Sequence, residues 1–183
     1  ATAIGVIAYQ AVVTATYPAQ LSRMEGGTRH RAERLASTVE QATREVVVFA
    51  ALPALVELVD ARQRGDAVAE TLWKERVTEV FLTTLSINST FLQLRFIDAQ
   101  EAGREVVRVD RSLATGMVYA VADSDLQDKG DRPYVTEAVK LDEGEIYVSP
   151  IELNQEQGRI EVPHVPVIRA ASPVVRPDGS VAG

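Results

Sequence analysis

The sequence predicts a domain of the α+β class, in which a long helical segment precedes an antiparallel sheet with a short helix laid across it. Apolar residues recur at intervals of three and four up to about Ser86, which is the period of helices, and alternate from Phe91 onward, which is the period of strands. No long helical crossover separates the later strands, so we expect antiparallel pairing rather than parallel βαβ units.

Composition limits the classes of partner open to this chain of 183 residues. Hydrophobic residues make up 46% of it, which is typical of a folded globular protein. Acidic side chains outnumber basic ones by 26 to 19, and the resulting net charge of -7 argues against nucleic acid as a partner. The sequence contains no cysteine, which excludes disulfides and thiolate chemistry.

The first 22 residues carry no charged side chain, although several polar residues and Pro18 interrupt them. A bilayer crossing needs about 20 predominantly apolar residues. Two interpretations therefore stay open: the segment is the outer end of a transmembrane helix, or it is a soluble packing helix.

A helix is expected from about Thr28 to Ala51. Thr28 is a suitable N-cap after two glycines, and Pro53 forces a boundary because the residue before a proline is biased away from helical backbone. This helix would carry an apolar seam. The seam consists of Ala32, Leu35, Val39, Ala42, Val46 and Phe49. Such a seam serves either packing on its own domain or a dimer interface between two chains.

Two further helices are expected before the strands begin. Pro53 at a first-turn position and Gly65 at a C-cap enclose a short helix. Asp66 can cap the next helix, which continues to about Ser86.

Strand-forming segments fill the second half of the chain. A β-hairpin is predicted over FLQLRFID and EVVRVD, with Val107 and Val109 on one face and Arg108 on the other. If the valines face the core, Arg108 faces away from it, and only the reverse orientation would make Arg108 a ligand group. Shorter elements follow: a strand at MVYAVA, a helix of about two turns at PYVTEAVK, and strands at EIYVS and VPVIRAASPVV.

We divide the chain into a helical stalk over residues 1–88 and a sheet domain over residues 89–183. The last segment, PVVRPDGSVAG, has the pattern of strand, turn and strand, with Pro177 and the Asp-Gly after it supplying the turn chemistry. Four residues of the return strand leave the preceding strand incompletely paired. We therefore expect the sheet domain to be truncated at its last strand and the chain to be an excerpt of a longer protein.

Four segments of the sheet domain form a family-like pattern: GREVVRVDR, LQDKGDRPY, IYVSPIELN and IEVPHVPVIRAASPV. Together they resemble the Cache sensor domains of bacterial transmembrane receptors over about residues 90–183. More narrowly, the chain is similar to the double-Cache type, whose PAS-like lobes follow a long N-terminal helix outside the membrane. Such domains occur in sensor histidine kinases, diguanylate cyclases and chemoreceptors. No second lobe follows within this chain.

The resemblance implies an extracytoplasmic, periplasmic ligand-sensing domain, anchored in the inner membrane in the full-length protein and belonging in the first place to a sensor histidine kinase. Such a domain would bind a small organic anion and transmit a conformational change through the membrane. A homodimer through the N-terminal helix is expected, and no cofactor is implied.

Other function classes stay open beside the sensor. A ligand-free interaction module would use the helices to bind a partner or a second copy. An enzyme is not expected, because no GxSxG, HExxH or P-loop pattern is present. A metal is not expected either, because the aspartates between residues 123 and 131 lack the regular spacing of a calcium loop.

Arg132 and Tyr134, in DRPY, stand where similar amino-acid-binding Cache domains carry Arg with Trp-Tyr at the start of a helix. An arginine there can bind a carboxylate through two parallel hydrogen bonds. Pro133 departs from the longer spacing of the family, which favours a small carboxylate over a free amino acid. The alternatives are an ion pair of Arg132 with Asp128 or Asp131, and a plain core role for Tyr134.

Other polar residues of the later strands can supply hydrogen bonds to a carboxylate or hydroxyl. Tyr147 and Ser149 share a face of EIYVS, and Asn154 and Arg169 follow on segments expected to return toward the same sheet. The expected ligand-binding set is Arg108, Arg132, Tyr134, Tyr147, Ser149, Asn154 and Arg169.

Overall fold

A computed structural model describes residues 17–100, 103–156, 158–176 and 178–183. The first 16 residues, on which the membrane and packing interpretations mostly rest, lie outside the described residues, as does Pro177. The boundary between two compact units falls between Glu40 and Gln41. The predicted domain boundary at residue 88 falls inside the second unit.

Helix α1 spans Tyr17–Ala50. Its end agrees with the predicted end to within one residue, but the predicted start at Thr28 is wrong, because the helix is already formed at Tyr17. A glycine inside a helix costs about 1 kcal/mol and does not by itself stop a helix that continues for many residues. Along the apolar seam, Leu35 is 47% exposed. Phe49 packs edge-on against Phe81, with ring centroids 5.8 Å apart.

Helices α2, Pro53–Arg64, and α3, Ala67–Ile87, confirm the predicted helix pair and its capping residues. Gly65 ends α2 with a left-handed φ of 68°. The Asp66 carboxylate starts α3 by accepting a 3.0 Å hydrogen bond from the backbone N–H of Ala69. Local chemistry therefore sets this sharp turn between the two helices.

The predicted hairpin is present as part of a three-stranded antiparallel sheet in the order β1-β2-β3. Its strands are β1, Gln93–Asp98, β2, Arg104–Arg111, and β3, Val118–Ala120. Phe96 pairs with Val107, whereas Ile97 pairs with Glu105, so Val106 is an extra residue that forms a bulge. A bulge shifts the alternation of the strand by one position.

One face of the sheet packs on helices α2 and α3 and forms the core. Val107 and Val109 are 2% and 0% exposed and face this core, as does the bulged Val106. Leu58 and Leu85 of the helices are both fully buried against the same cluster. The valine orientation places Arg108 on the opposite face, as the alternation predicts. That face is also buried, with Arg108 6% exposed, so inward valines do not leave Arg108 in solvent.

The remaining elements are short and connect by turns. The predicted two-turn helix consists of one α-helical turn, α4, Pro133–Thr136, followed by a 3-10 turn, Ala138–Lys140. The predicted strand over VPVIRAASPVV is not continuous, because it pairs with two different partners. Three two-residue ladders form: β4, Tyr147–Val148, with β9, Ala170–Ala171; β5, Glu152–Leu153, with β8, Pro166–Val167; and β6, Gln155–Glu156, with β7, Arg159–Ile160.

The C-terminal segment folds back as predicted. Val175 and Val181 form an antiparallel bridge, and Asp178 and Gly179 lie in the turn between them. The Ala99 N–H donates to the Ala182 carbonyl at 2.9 Å, so the return segment is also tied to the end of β1. Among the helices in the described ranges, none is both long and apolar enough for a bilayer crossing.

Candidate functional site

The face of the sheet opposite the helices carries charged side chains. Alternation turns Arg95 of β1 and Arg108 and Asp110 of β2 toward this face. The bulge at Val106 adds Glu105, which strict alternation would have turned toward the core. Glu105 is 1% exposed and Arg108 is 6% exposed. Charges buried this deeply must be paired with opposite charges or hydrogen-bonding groups.

Arg108 is the centre of this face. Its guanidinium binds Asp110 in a forked arrangement, with Nε 2.9 Å from Oδ1 and Nη2 2.6 Å from Oδ2. Its Nη1 donates to Glu156 at 2.9 Å. Burial opposes the charge of Arg108, but Asp110, Glu156 and Glu105 together outweigh burial and hold its pKa above the ordinary value. Arg108 is therefore cationic at any physiological pH.

Arg95 lies across the strand pair from Arg108. Its Nη1 donates to Glu105 at 2.8 Å, and its Nη2 binds Glu156. The second oxygen of Glu105 accepts the backbone N–H of Gln127 at 3.0 Å. Glu105 thus joins the sheet to the loop that runs beside the start of β2.

Lys129 comes from that loop and is 3% exposed. Its backbone N–H donates to the Gly103 carbonyl at 2.8 Å, at a turn where Gly103 has φ 72° and meets the backbone of Gly130 too closely for any side chain. Its Nζ donates to Gln127 at 2.9 Å. Burial lowers the pKa of Lys129 despite the neighbouring Glu156.

Glu156, on the β6–β7 hairpin, accepts from all three cations of this cluster. Lys129 Nζ lies 3.4 Å from its Oε2, in addition to the bonds from Arg95 and Arg108. Gln93 and Gln127 add amide hydrogen bonds of 3.2 and 3.0 Å. Burial acts to raise the pKa of Glu156, but the cations outweigh it and lower that pKa to about 2. Hereafter the charged cluster means Arg95, Glu105, Arg108, Asp110, Lys129 and Glu156.

A second group of polar residues adjoins this cluster. The Arg169 guanidinium lies 5.4 Å from the centre of the Tyr134 ring and donates to Asn154 Oδ1 at 3.0 Å. Its Nη1 donates to Glu152 at 3.0 Å. Burial raises the pKa of Tyr134, so its hydroxyl stays protonated. The structure therefore brings together three of the predicted site residues, Tyr134, Asn154 and Arg169.

Arg132 reaches the same hairpin from the start of α4. Its Nη2 donates to Gln155 Oε1 at 3.2 Å, next to Glu156. Asp128, one of the partners considered for Arg132, instead forms a 3.1 Å pair with Arg104. Arg132 thus joins the predicted site to the charged cluster through neighbouring residues of one strand.

Ser149 and Tyr147, the other two predicted site residues of the β4 segment, have less direct roles in the candidate site. The Ser149 hydroxyl donates to the Pro150 carbonyl at 2.8 Å and accepts the Arg169 N–H at 2.9 Å, so it holds backbone in place. Tyr147 lies in β4, opposite Ala171 of β9, and is half-buried. Sequence analysis missed Arg95, Glu105, Asp110, Lys129 and Glu156 as site residues. Strand alternation could have indicated Arg95 and Asp110, but no local pattern points to the other three.

A groove of about 600 Å³ lies on the helical side, between α3 and strands β2 and β3. Lys74 binds Asp123 at 2.7 Å at this groove, and Glu70 pairs with Arg62. Its charged lining is thus largely paired and partly exposed to solvent. We therefore place the candidate site at the charged cluster and the adjoining polar group instead.

The fold of this chain is similar to that of two solved structures. One similar solved structure is a domain of a protein from Vibrio parahaemolyticus assigned to the sensory box/GGDEF family, with a TM-score of 0.64 at 19% identity. Another is the extracellular domain of a protein assigned as the histidine kinase vpHK1S-Z8, with a TM-score of 0.60 at 19% identity. The alignments cover 93% and 87% of this chain but 57% of each neighbour.

The chain belongs to the family described as bacterial histidine kinase, sensor domain, whose model matches residues 46–181. This finding confirms the sensor-domain resemblance, and it places the matched region in a sensing family rather than a catalytic one. A comparison with curated proteins gave no match.

Proposed function

We propose that this region is the extracytoplasmic ligand-sensing domain of a membrane-anchored bacterial receptor, and that its ligand is a small organic anion. The supporting observation is the number of cations that converge on the β6–β7 hairpin and the residue before it. These are Arg95, Arg108, Lys129, Arg132 and Arg169. Arginine forks match carboxylate geometry, and Tyr134 adds an aromatic wall beside Arg169.

Signalling requires that the ligand bind one conformation better than another. Within the second unit, the sheet packs on α3, and α3 contacts the end of α1 through Phe81 and Phe49. Asn88, just after α3, also donates to Glu45 of α1 at 3.2 Å. A change of packing at the sheet therefore has a continuous path of contacts to the end of α1. A histidine kinase is the output module that the family supports.

A thermal-shift screen of the purified domain against small carboxylates, amino acids and amines tests this proposal. A ligand that binds only the folded state at 100 times its dissociation constant stabilises it by about 2.7 kcal/mol. We expect a carboxylate to raise the melting temperature, and expect Arg132→Ala and Tyr134→Ala to abolish that rise. Lys140→Ala is the matched control, because Lys140 lies just after α4 and pairs only with the exposed Glu137 among the contacts described.

An unchanged melting temperature with every carboxylate, together with a dimer that forms with increasing protein concentration, would favour the ligand-free interaction module. The exposed Leu35 on the α1 seam is the observation in favour of that alternative. A homodimer through this helix is compatible with both functions. Analytical ultracentrifugation of wild type and Leu35→Glu separates dimerisation from ligand binding.

A further inference from the structure

We infer that Arg95, Arg108 and Lys129 form a carboxylate-binding subsite which Glu156 fills from within the chain, and that an organic anion binds there by taking the place of Glu156. This inference rests on the proposed sensing function and names the part of the site where the anion's charge is bound. It also assigns a role to the β6–β7 hairpin, which then moves when ligand binds.

The charge balance of the cluster supports an exchangeable anion. Apart from Glu156, three cations face two carboxylates, Glu105 and Asp110, so one positive charge is in excess. Those two carboxylates belong to β2, whose backbone is fixed between two other strands. Glu156 is different, because it reaches the cluster from a hairpin outside the sheet. An anion is required at this position, but it need not be a side chain of the hairpin.

The hairpin is held to the rest of the domain mainly through side chains. Its own ladder has two residue pairs, Gln155 with Ile160 and Glu156 with Arg159. Arg159 and Ile160 are exposed, and Ile160 is 46% exposed despite being apolar. Few apolar contacts therefore oppose movement of the returning strand.

Three consecutive residues of this segment each bind cations. Asn154 accepts from Arg169, Gln155 from Arg132, and Glu156 from Arg95, Arg108 and Lys129. Displacement of Glu156 would also loosen the Gln155 contact next to it. Arg132 would then be available to the incoming anion, which couples the subsite to the residues predicted from sequence.

The test is chemical rescue of Glu156→Ala with acetate and formate, compared with chloride at equal ionic strength. We expect this variant to melt below wild type in chloride. Acetate should then raise its melting temperature with the logarithm of its concentration above the dissociation constant, by about 5–10 °C at 100 times that constant. Wild type should show a much smaller response, because its own carboxylate competes.

Glu152→Ala is the matched control, since Glu152 also pairs with an arginine of this region but is 44% exposed at its side chain. It should show no acetate-specific rescue. If Glu156→Ala does not fold in chloride, its refolding yield in acetate and in chloride becomes the readout, and a higher yield in acetate is the expected result. Equal behaviour in acetate, formate and chloride overturns the inference.

Failure of the subsite can be distinguished from failure of the proposed function. The subsite is decided by acetate binding to Glu156→Ala. The proposed function is decided by organic anions acting on wild type and on the Arg132 and Tyr134 variants. A wild-type ligand that binds equally well to Glu156→Ala and to wild type would keep the sensing function and reject the exchange.

Discussion

The two faces of the β1–β2–β3 sheet are both buried, but by different interactions. On one face Val107 and Val109 pack against Leu58, Phe81 and Leu85 of the helices. On the other face the charged cluster is closed by Glu156, which comes from a short hairpin. Apolar contacts are many and individually weak, whereas a buried ionic network depends on every partner being present.

This difference separates what stabilises the fold from what can respond to a ligand. A buried ion pair is often no better for stability than well-packed apolar side chains, yet removal of one partner is expensive. We therefore expect the apolar face to contribute most of the folding free energy. The charged face offers a group of cations whose counter-charge can be exchanged without disturbing the core.

The largest effect is expected from breaking the centre of the charged face. Arg108→Met should lower the free energy of unfolding by about 3–5 kcal/mol, because it leaves Asp110 buried without its cation and removes one of the three cations that bind Glu156. Urea denaturation measures this loss. Lys74→Ala is the control, since it removes a pair whose Asp123 side chain is 77% exposed and should cost at most about 1 kcal/mol. A similar small cost for both variants would contradict the difference between buried and exposed pairs.

A somewhat smaller effect is expected on the apolar face. Leu85 is fully buried in the core, and Leu85→Ala should cost about 2–5 kcal/mol through lost burial and the cavity left behind. The same denaturation series gives this value. Because the deletion is on the opposite face, the acetate response of Glu156→Ala should persist in the double variant. Loss of that response would show that the two faces are not separable.

The most specific effect is the pH dependence contributed by Glu156. Its folded-state pKa of about 2 lies below its ordinary value of 4.5, so the unfolded chain binds its proton first as pH falls. Its contribution to stability is therefore complete above about pH 5 and is lost as pH falls toward 2. Glu156→Gln should flatten this part of the stability profile relative to wild type. Parallel profiles for the two proteins would exclude a depressed pKa.

Sequence analysis succeeded where structure follows from neighbouring residues. The Gly65 and Asp66 caps and the inward Val107 and Val109 depend on local backbone preferences and on strand alternation. The predicted start of α1 was wrong because Gly26 and Gly27 were assumed to interrupt the helix. The long strand over VPVIRAASPVV was wrong because pairing is decided by partners distant in sequence.

The charged cluster shows why a candidate site is harder to predict than a fold. Glu156 lies 48 residues after Arg108, and no spacing rule connects them. The bulge at Val106 hid Glu105, because strict alternation assigns it to the wrong face. Arg132, chosen from family resemblance, and Arg169, chosen because its segment was expected to return toward the sheet, do lie beside the cluster. Their roles as ligand groups stay predictions until binding is measured.

The alternation of β1 and β2 has a consequence for how such domains diversify. Positions 95, 108 and 110 decide the chemistry of one face, and positions 96, 107 and 109 decide the packing of the other. A single backbone thus carries two sets of residues on separate faces of the sheet. Over evolutionary time, a lineage could change which molecule it detects while inheriting the same scaffold unchanged.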